Sequence, residues 1–255
     1  MNPQELQQWV IRMLFDPKLV EAVYSDKTLP KLDEESRNLL KATDQRAWAT
    51  DPLRRTRTLQ ALIEECPVSA ALAGIDTLDS FFSSVNFHSA IQNRTALVLA
   101  FSHWLSHQVG AIAKLEGAIA RARQQSPQTG HGLYMAVGVA AVSLPAGMMG
   151  WWQRAKGTLG PNPLCTILEN PVELNVPPKG PDAEHYLFER GADGGIAISN
   201  AASALIDLLC AANTPIDPAQ LQSKAIELGA DPSETSELID ALKIDGLLMT
   251  AQTLQ

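Results

Sequence analysis

The sequence predicts an α+β protein: an N-terminal all-α helical bundle followed by a small winged-helix-like domain of short strands and three helices. Three observations lead there. Apolar residues recur at helical spacing from Pro3 to about Gln124, punctuated by prolines. A strand–turn–strand signal surrounds Asp193-Gly194-Gly195. Three short helical stretches and a Gly-Leu-Leu return then follow. Length and an apolar content of 45% allow one or two domains, and two are expected, 1–126 and 127–255.

Leu6, Trp9, Val10, Met13 and Leu14 repeat in steps of three and four, so residues 3–14 form an amphipathic helix. Asp16-Pro17 caps and opens a second, with Leu19, Val20 and Val23 inward. Proline suits a first helical position because its missing N–H would be unpaired there anyway. Pro30 breaks the pattern. A third helix begins near Asp33 and continues, with a bend, through Ala47 and Trp48. Asp51-Pro52 restarts the helix, carrying Leu53, Leu59, Leu62 and Ile63 to Cys66. Pro67 ends it and opens a shorter one. Asp76 caps a helix that buries Leu78, Phe81 and Phe82. From about Arg94 to Gln124, the stripe Leu97, Phe101, Trp104, Gln108, Ile112, Leu115, Ile119 and Ala122 predicts one long helix. Its length, roughly 45 Å at about 1.5 Å per residue, makes it the spine of the bundle.

Gly132 to Trp152 carries no charge and is long enough to span a bilayer. Its glycines, the Leu144-Pro145-Ala146-Gly147 break and its β-branched alternation favour a buried strand from Leu133 to Leu144 instead. A turn and a helix from Met148 to about Leu159 follow. His185 to Gly191 and Ile196 to Ser199 then form a hairpin. Asn200 is placed to cap the next helix, which carries Ala204, Leu205, Leu208 and Leu209 on one face. Asp217-Pro218 opens another, closed by Gly229. Asp231-Pro232 opens the last, buried through Leu238, Ile239 and Leu242 and ended by Gly246. Leu247 and Leu248 return to the core.

The formal net charge is −8. From Asp182 onward, twelve acidic side chains face three basic ones, so the acidity is localised. A duplex-DNA binder neutralises phosphates with Lys and Arg; a last helix carrying Glu234, Glu237 and Asp240 repels them. That helix face is either a solvated surface or one that suits a basic or neutral peptide. The overall balance also argues against nucleic-acid or membrane-surface partners. Cys66, Cys165 and Cys210 lie far apart without metal spacing, as in a reducing compartment. The start, MNPQELQQW, lacks the apolar run of a signal peptide. A cytoplasmic protein is expected.

Catalytic patterns are sparse. His103 and His107 stand at i and i+4, but Trp104 sits where a zinc-hydrolase helix carries Glu. Cys66, before Pro67, reads as a small core residue. Nucleophile-elbow, P-loop and dinucleotide fingerprints do not occur. No catalytic residue and no metal or cofactor is expected in this chain.

The closing stretch, with Leu242-Lys243-Ile244-Asp245-Gly246-Leu247-Leu248, resembles the PqqD-like peptide-recognition domains of ribosomal-peptide biosynthesis. Four further stretches widen the resemblance: R-A-W-x-x-D-P-L-R-R-x-R-x-L-x-x-L-x-E-x-C-P-x-S-A-A-L from Arg46 to Leu72; F-F-x-S-x-x-F-H with Arg94 and Trp104-Leu105; K-L-E-G-A-I-A-R-A-R from Lys114; and Leu144 to Gly147. Together they look like the partner proteins of multinuclear non-heme iron oxidative enzymes, most of all those of 3-thiaglutamate biosynthesis, related to those of methanobactin. The resemblance covers about residues 35–250. It implies a non-catalytic subunit that binds a ribosomal precursor peptide by its leader and presents a cysteine to the iron enzyme. The iron would belong to that enzyme. The reaction implied is an oxygen-dependent rearrangement of the cysteine, in the thiaglutamate case with loss of its β-carbon.

Two candidate surfaces follow. The leader would add as a strand beside Ile196, Ala197 and Ile198 and lie against the last helix at Glu237, Asp240 and Ala241. Arg46, Trp48, Arg54, Arg55 and Arg57 either form a contact surface for the enzyme or the peptide, or are solvated arginines paired to neighbours such as Glu64 and Glu65, with Trp48 in the core. The rival functions are a winged-helix transcription regulator, a metalloenzyme using His103 and His107, and a scaffold that binds no peptide.

Overall fold

The computed structural model describes residues 2–25, 28–49, 53–124, 126–169 and 174–251. The chain is mixed α+β and divides into two units. Met1–Gly110 and Lys156–Leu174 form one; Ala111–Ala155 and Asn175–Gln255 form the other. The division therefore falls sixteen residues before the expected boundary at 126, and the chain crosses it more than once.

The first unit is helical. α1 (Pro3–Phe15) begins with a reciprocal capping box between Asn2 and Glu5. Asp16 caps α2 (Pro17–Tyr24) by accepting from Lys18 N–H, and Asp33 caps α3 (Glu34–Lys41). A 3-10 turn, Gln45–Ala49, replaces the expected bent continuation of α3. The Asp51-Pro52 start lies outside the described residues. α4 (Leu53–Glu65) buries Leu59, Leu62 and Ile63 but leaves Leu53 half exposed. α5 (Pro67–Ala73) and α6 (Ile75–Leu78) run into a second 3-10 turn, Asp79–Ser83, that buries Phe81 and Phe82 completely. α7 (Val85–Asn93) and α8 (Leu97–Val109) pack together, and α8 also meets α4 and α5. Phe81 centres an aromatic cluster with Phe82, Phe87, Phe101 and Trp104, at centroid distances of 5.1–5.8 Å. A separate cluster gathers Trp9, Met13, Leu19, Val20, Val23 and Leu40.

The long spine predicted from Arg94 to Gln124 is two helices. Gly110 stands at φ +70 between α8 and α9 (Ala111–Gln124). That conformation is available to glycine without a Cβ clash, and it lets one apolar stripe serve two units. Ile112, Leu115 and Ile119 of α9 are buried in the second unit.

The predicted strand from Leu133 to Leu144 is also divided. β1 (Leu133–Met135) and β2 (Val139–Pro145) part at Gly138, φ +88. After β2 come α10 (Met148–Leu159), as the sequence predicts, and α11 (Pro163–Glu169). β3 (Ala183–Arg190) and β4 (Ile196–Asn200) form the expected hairpin. The sheet order is β2-β3-β4, all antiparallel. α9 covers β2, β3 and β4, and α12 (Ser203–Ala211) covers β2 and β3. β2 is thus buried on both faces, which is why it reads as a nearly continuous apolar run.

The remaining elements are α13 (Pro218–Glu227), α14 (Thr235–Ile244) and β5 (Leu248–Thr250). β5 pairs with β1, and Leu133 bridges to Ile216 on the other side, so β1 is central in a small second sheet. Two of the expected caps in this region shift. Asn200 ends β4, and Ala202 is the N-cap of α12. Asp231 closes a turn onto Ser233 instead of opening α14, which starts at Thr235. Asp217 caps α13 as read, and Gly229 follows that helix at φ +99. Leu238, expected in the core, is 37% exposed, and Ile239 and Leu242 carry the burial of α14.

Candidate functional site

β4 is an outer strand of its sheet, and its hydrogen-bond phase decides what it offers. Gly191 N–H donates to Gly195 O at the turn, and Ala201 N–H donates to His185 O beyond the strand. Hydrogen-bonded pairs alternate along an antiparallel ladder. The register therefore points the backbone of Ala197 and Ser199 towards β3, whose partners are Glu189 and Leu187. The N–H and C=O groups of Ile196, Ile198 and Asn200 point outward from the sheet edge. Ile198 is 42% exposed although it stands opposite the fully buried Phe188. An edge left unpaired by the described residues is a template for another strand.

Glu237, Asp240 and Ala241 are exposed on one face of α14, continued by Ile244 at 85% exposure. Asp240 pairs with Lys243 at 3.0 Å. α14 packs on α13 and β5, whereas β4 packs on β3 and α9. The six residues expected to form one peptide surface thus lie in two exposed patches with different packing neighbours. A third, apolar patch was not foreseen. Leu205 and Leu208 of α12, Leu228 and Leu238 line a groove of about 270 Å³.

The arginine surface is partly absorbed by structure. Arg55 pairs with Asp79 at 2.7 Å, donates to its carbonyl at 3.1 Å and sits 5.1 Å from the Phe82 ring centre. Trp48 is half-buried against the α1–α2 cluster, and its indole N–H donates to Tyr24 Oη at 3.0 Å. Both side chains are thus engaged within the first unit. Arg46 and Arg57 are exposed. Arg54 Nη1 is buried with no hydrogen-bond partner among the described residues.

His103 and His107 are exposed on α8 with ring centres 5.1 Å apart. Among the described residues, no three His, Cys, Asp or Glu side chains are grouped to hold a metal ion. Burial, then Asp207, pushes the Cys210 thiol above its ordinary pKa against the opposing charge of Arg121, so it stays a thiol, Sγ 3.6 Å from Ala141 O.

His88 has no polar partner near it in sequence, but the fold surrounds it. Its Nδ1 lies 3.4 Å from Arg12 Nη2, and its Nε2 lies 3.3 Å from Asp16 Oδ2. Asp16 is buried and also accepts from Ser83 Oγ at 3.0 Å. Burial alone would raise the Asp16 carboxyl pKa; contacts from His88, Ser83 and Leu19 N–H outweigh it and hold the group below the usual carboxylate range. Ser83 faces the carboxylate and not the imidazole, so this is no hydrolase triad. Its members come from positions 12, 16, 83 and 88, and only the Asp-Pro cap gave any local signal.

No protein-family model matches this chain, and no curated protein matches its sequence.

Proposed function

We propose that this chain is the non-catalytic partner subunit of an iron-dependent oxidative enzyme that modifies cysteine in a ribosomal precursor peptide, the 3-thiaglutamate type being the closest fit. The leader binds here; the iron is held by the enzyme. The observation that carries the reading is the edge of β4, unpaired among the described residues, with the outward backbone of Ile196, Ile198 and Asn200. Strand addition there supplies main-chain affinity without fixing the peptide's sequence. Helices α12 to α14 with the strip Ile216–β1–β5 support a winged-helix-like description of this region. The acidic face at Glu237 and Asp240 favours a basic leader over nucleic acid. Arg46, Arg54 and Arg57 are the cations proposed for the enzyme contact.

The register supplies a specific test. Ile198→Pro removes an outward N–H and leaves the β3 ladder intact. In a titration with a labelled leader peptide from a precursor encoded beside this gene, that variant should bind at least about tenfold more weakly while melting within about 1 °C of wild type. Equal affinity would remove β4 from the proposal. The double change Glu237→Lys and Asp240→Lys should weaken a basic leader and raise its salt independence. For the enzyme partner, the measurement is iron and a second protein retained on the captured chain, both lost on Arg54→Glu with Arg57→Glu. Iron retained with no second protein would favour a metalloenzyme.

A further inference from the structure

The first unit contains a cleft of about 690 Å³ between α1, the segment before α3, and α7. Trp9, Leu29 and Val85 give it apolar walls; Arg12, Lys31 and His88, with the carboxylates of Glu5 and Asp33, give it polar ones. The Arg12 guanidinium lies 4.4 Å from the Trp9 ring centre, stacked as a planar cation on an aromatic face. Its Nε is buried and has no hydrogen-bond partner among the described residues. A buried guanidinium N–H without an acceptor is costly. Burial accordingly lowers the Arg12 pKa, with the charge of Asp16 opposing.

The surrounding carboxylates do not supply the missing acceptor. Glu5 Oε2 accepts from Asn2 N–H at 3.1 Å, and Asp33 Oδ1 accepts from Ser36 N–H at 2.8 Å; each is turned to a helix cap. Asp16 contacts His88, Ser83 and the N-terminus of α2. His88 has one nitrogen beside Arg12 and the other beside Asp16. The imidazole lies between the guanidinium and the carboxylate, with Nε2 buried and in no well-aligned hydrogen bond among the described residues. His88 is therefore a positioning residue that holds the guanidinium against Trp9.

We propose that this cleft binds an organic carboxylate with an apolar or aromatic body, its carboxylate on Arg12 and its body against Trp9 and Leu29. Arg is the side chain whose planar fork matches a carboxylate, and Lys31 on the rim adds charge of the same sign. Free small acids and the C-terminal carboxylate of a peptide share this chemistry. The inference does not depend on strand addition at β4, because every residue it uses lies in the first unit.

The test follows the Arg12 Nε–H signal by side-chain NMR in the full chain, titrated with phenylacetate and with neutral phenylacetamide. Phenylacetate should move the signal saturably, with a Kd of about 1 mM, and the amide should bind at least about tenfold more weakly. Arg12→Gln should abolish the response, read in that variant from Trp9. Ser89→Trp, which fills the cleft from α7 and keeps Arg12 itself, should abolish it too and keeps the test decisive should Arg12→Gln fail to fold. A short peptide ending in leucine, free or amidated, distinguishes the sources. Stronger binding of the free-ended peptide than of phenylacetate assigns the cleft to chain termini; the reverse assigns it to small acids. Equal binding of acid and amide, no saturable shift with any of these acids, or unchanged binding in Ser89→Trp would overturn the proposal.

Discussion

Asp16 shows how much one side chain does in this protein. It caps α2, accepts from Ser83 and faces His88, all from a position 4% exposed. Its folded pKa lies below the ordinary carboxylate value. The folded state therefore binds fewer protons there than the unfolded chain. The resulting stability is present above the unfolded pKa of about 3.9 and is lost as pH falls through the folded value. Asp16→Asn keeps a capping oxygen but not the charge. It should lower stability at neutral pH by about 1–2 kcal/mol and flatten the loss of stability below about pH 4, read from urea midpoints across pH. Phe81 is the apolar counterpart. It touches four other rings and is fully buried, so Phe81→Ala should cost about 4 kcal/mol in the same assay.

At the scale of elements, glycines decide where segments break, and they do so for different reasons. A Cβ at Gly110 would meet nothing within 4 Å, so its backbone conformation, with φ +70, is the only obstacle. Its ψ of −129 lies outside the left-handed helical region, and Gly110→Ala should destabilise by about 1–3 kcal/mol. Gly132 stands at φ +109 beside the Leu133–Ile216 bridge, and a Cβ there would lie 2.2 Å from Ile216 O. Gly132→Ala should cost about 3 kcal/mol or more and separate β1 from Ile216. Thermal melts of the two variants would rank them, and a comparable loss in both would show that the close approach at Gly132 is easily relieved. Helix starts were legible at two of the Asp-Pro pairs, Asp16 and Asp217, because cap and proline act within one turn. Asn200 and Asp231 were misread: the first was claimed by the β3–β4 ladder, the second by a local turn onto Ser233.

For the whole molecule, the consequential difference is the place of α9. Its buried residues Ile112, Leu115 and Ile119 cover the β2-β3-β4 sheet, so the second unit is incomplete without it. A fragment 127–255 should give collapsed, poorly dispersed NMR spectra, because the α9 face of the sheet would be open to water. Residues 111–255 should retain a cooperative unfolding transition. A well-dispersed spectrum from 127–255 would mean that α12 alone suffices to hold the sheet.

The sequence by itself determined the α+β class, the helical first part, the hairpin around Asp193-Gly194-Gly195 and the acidity of the closing region. All of these rest on local periodicity, turn chemistry or charge, which act between residues near in sequence. It also marked the residues proposed here for peptide binding, Ile196 to Ile198 on one element and Glu237, Asp240 and Ala241 on another. Only the tertiary structure decided that β4 is an outer strand, which of its backbone groups point outward, and that α14 packs elsewhere. It alone split one continuous apolar stripe between two cores at Gly110, since helical periodicity is blind to what each face will meet. And it alone brought Arg12, Asp16, Ser83 and His88 together, because a cluster built across about 70 residues is made by packing and leaves no spacing to read.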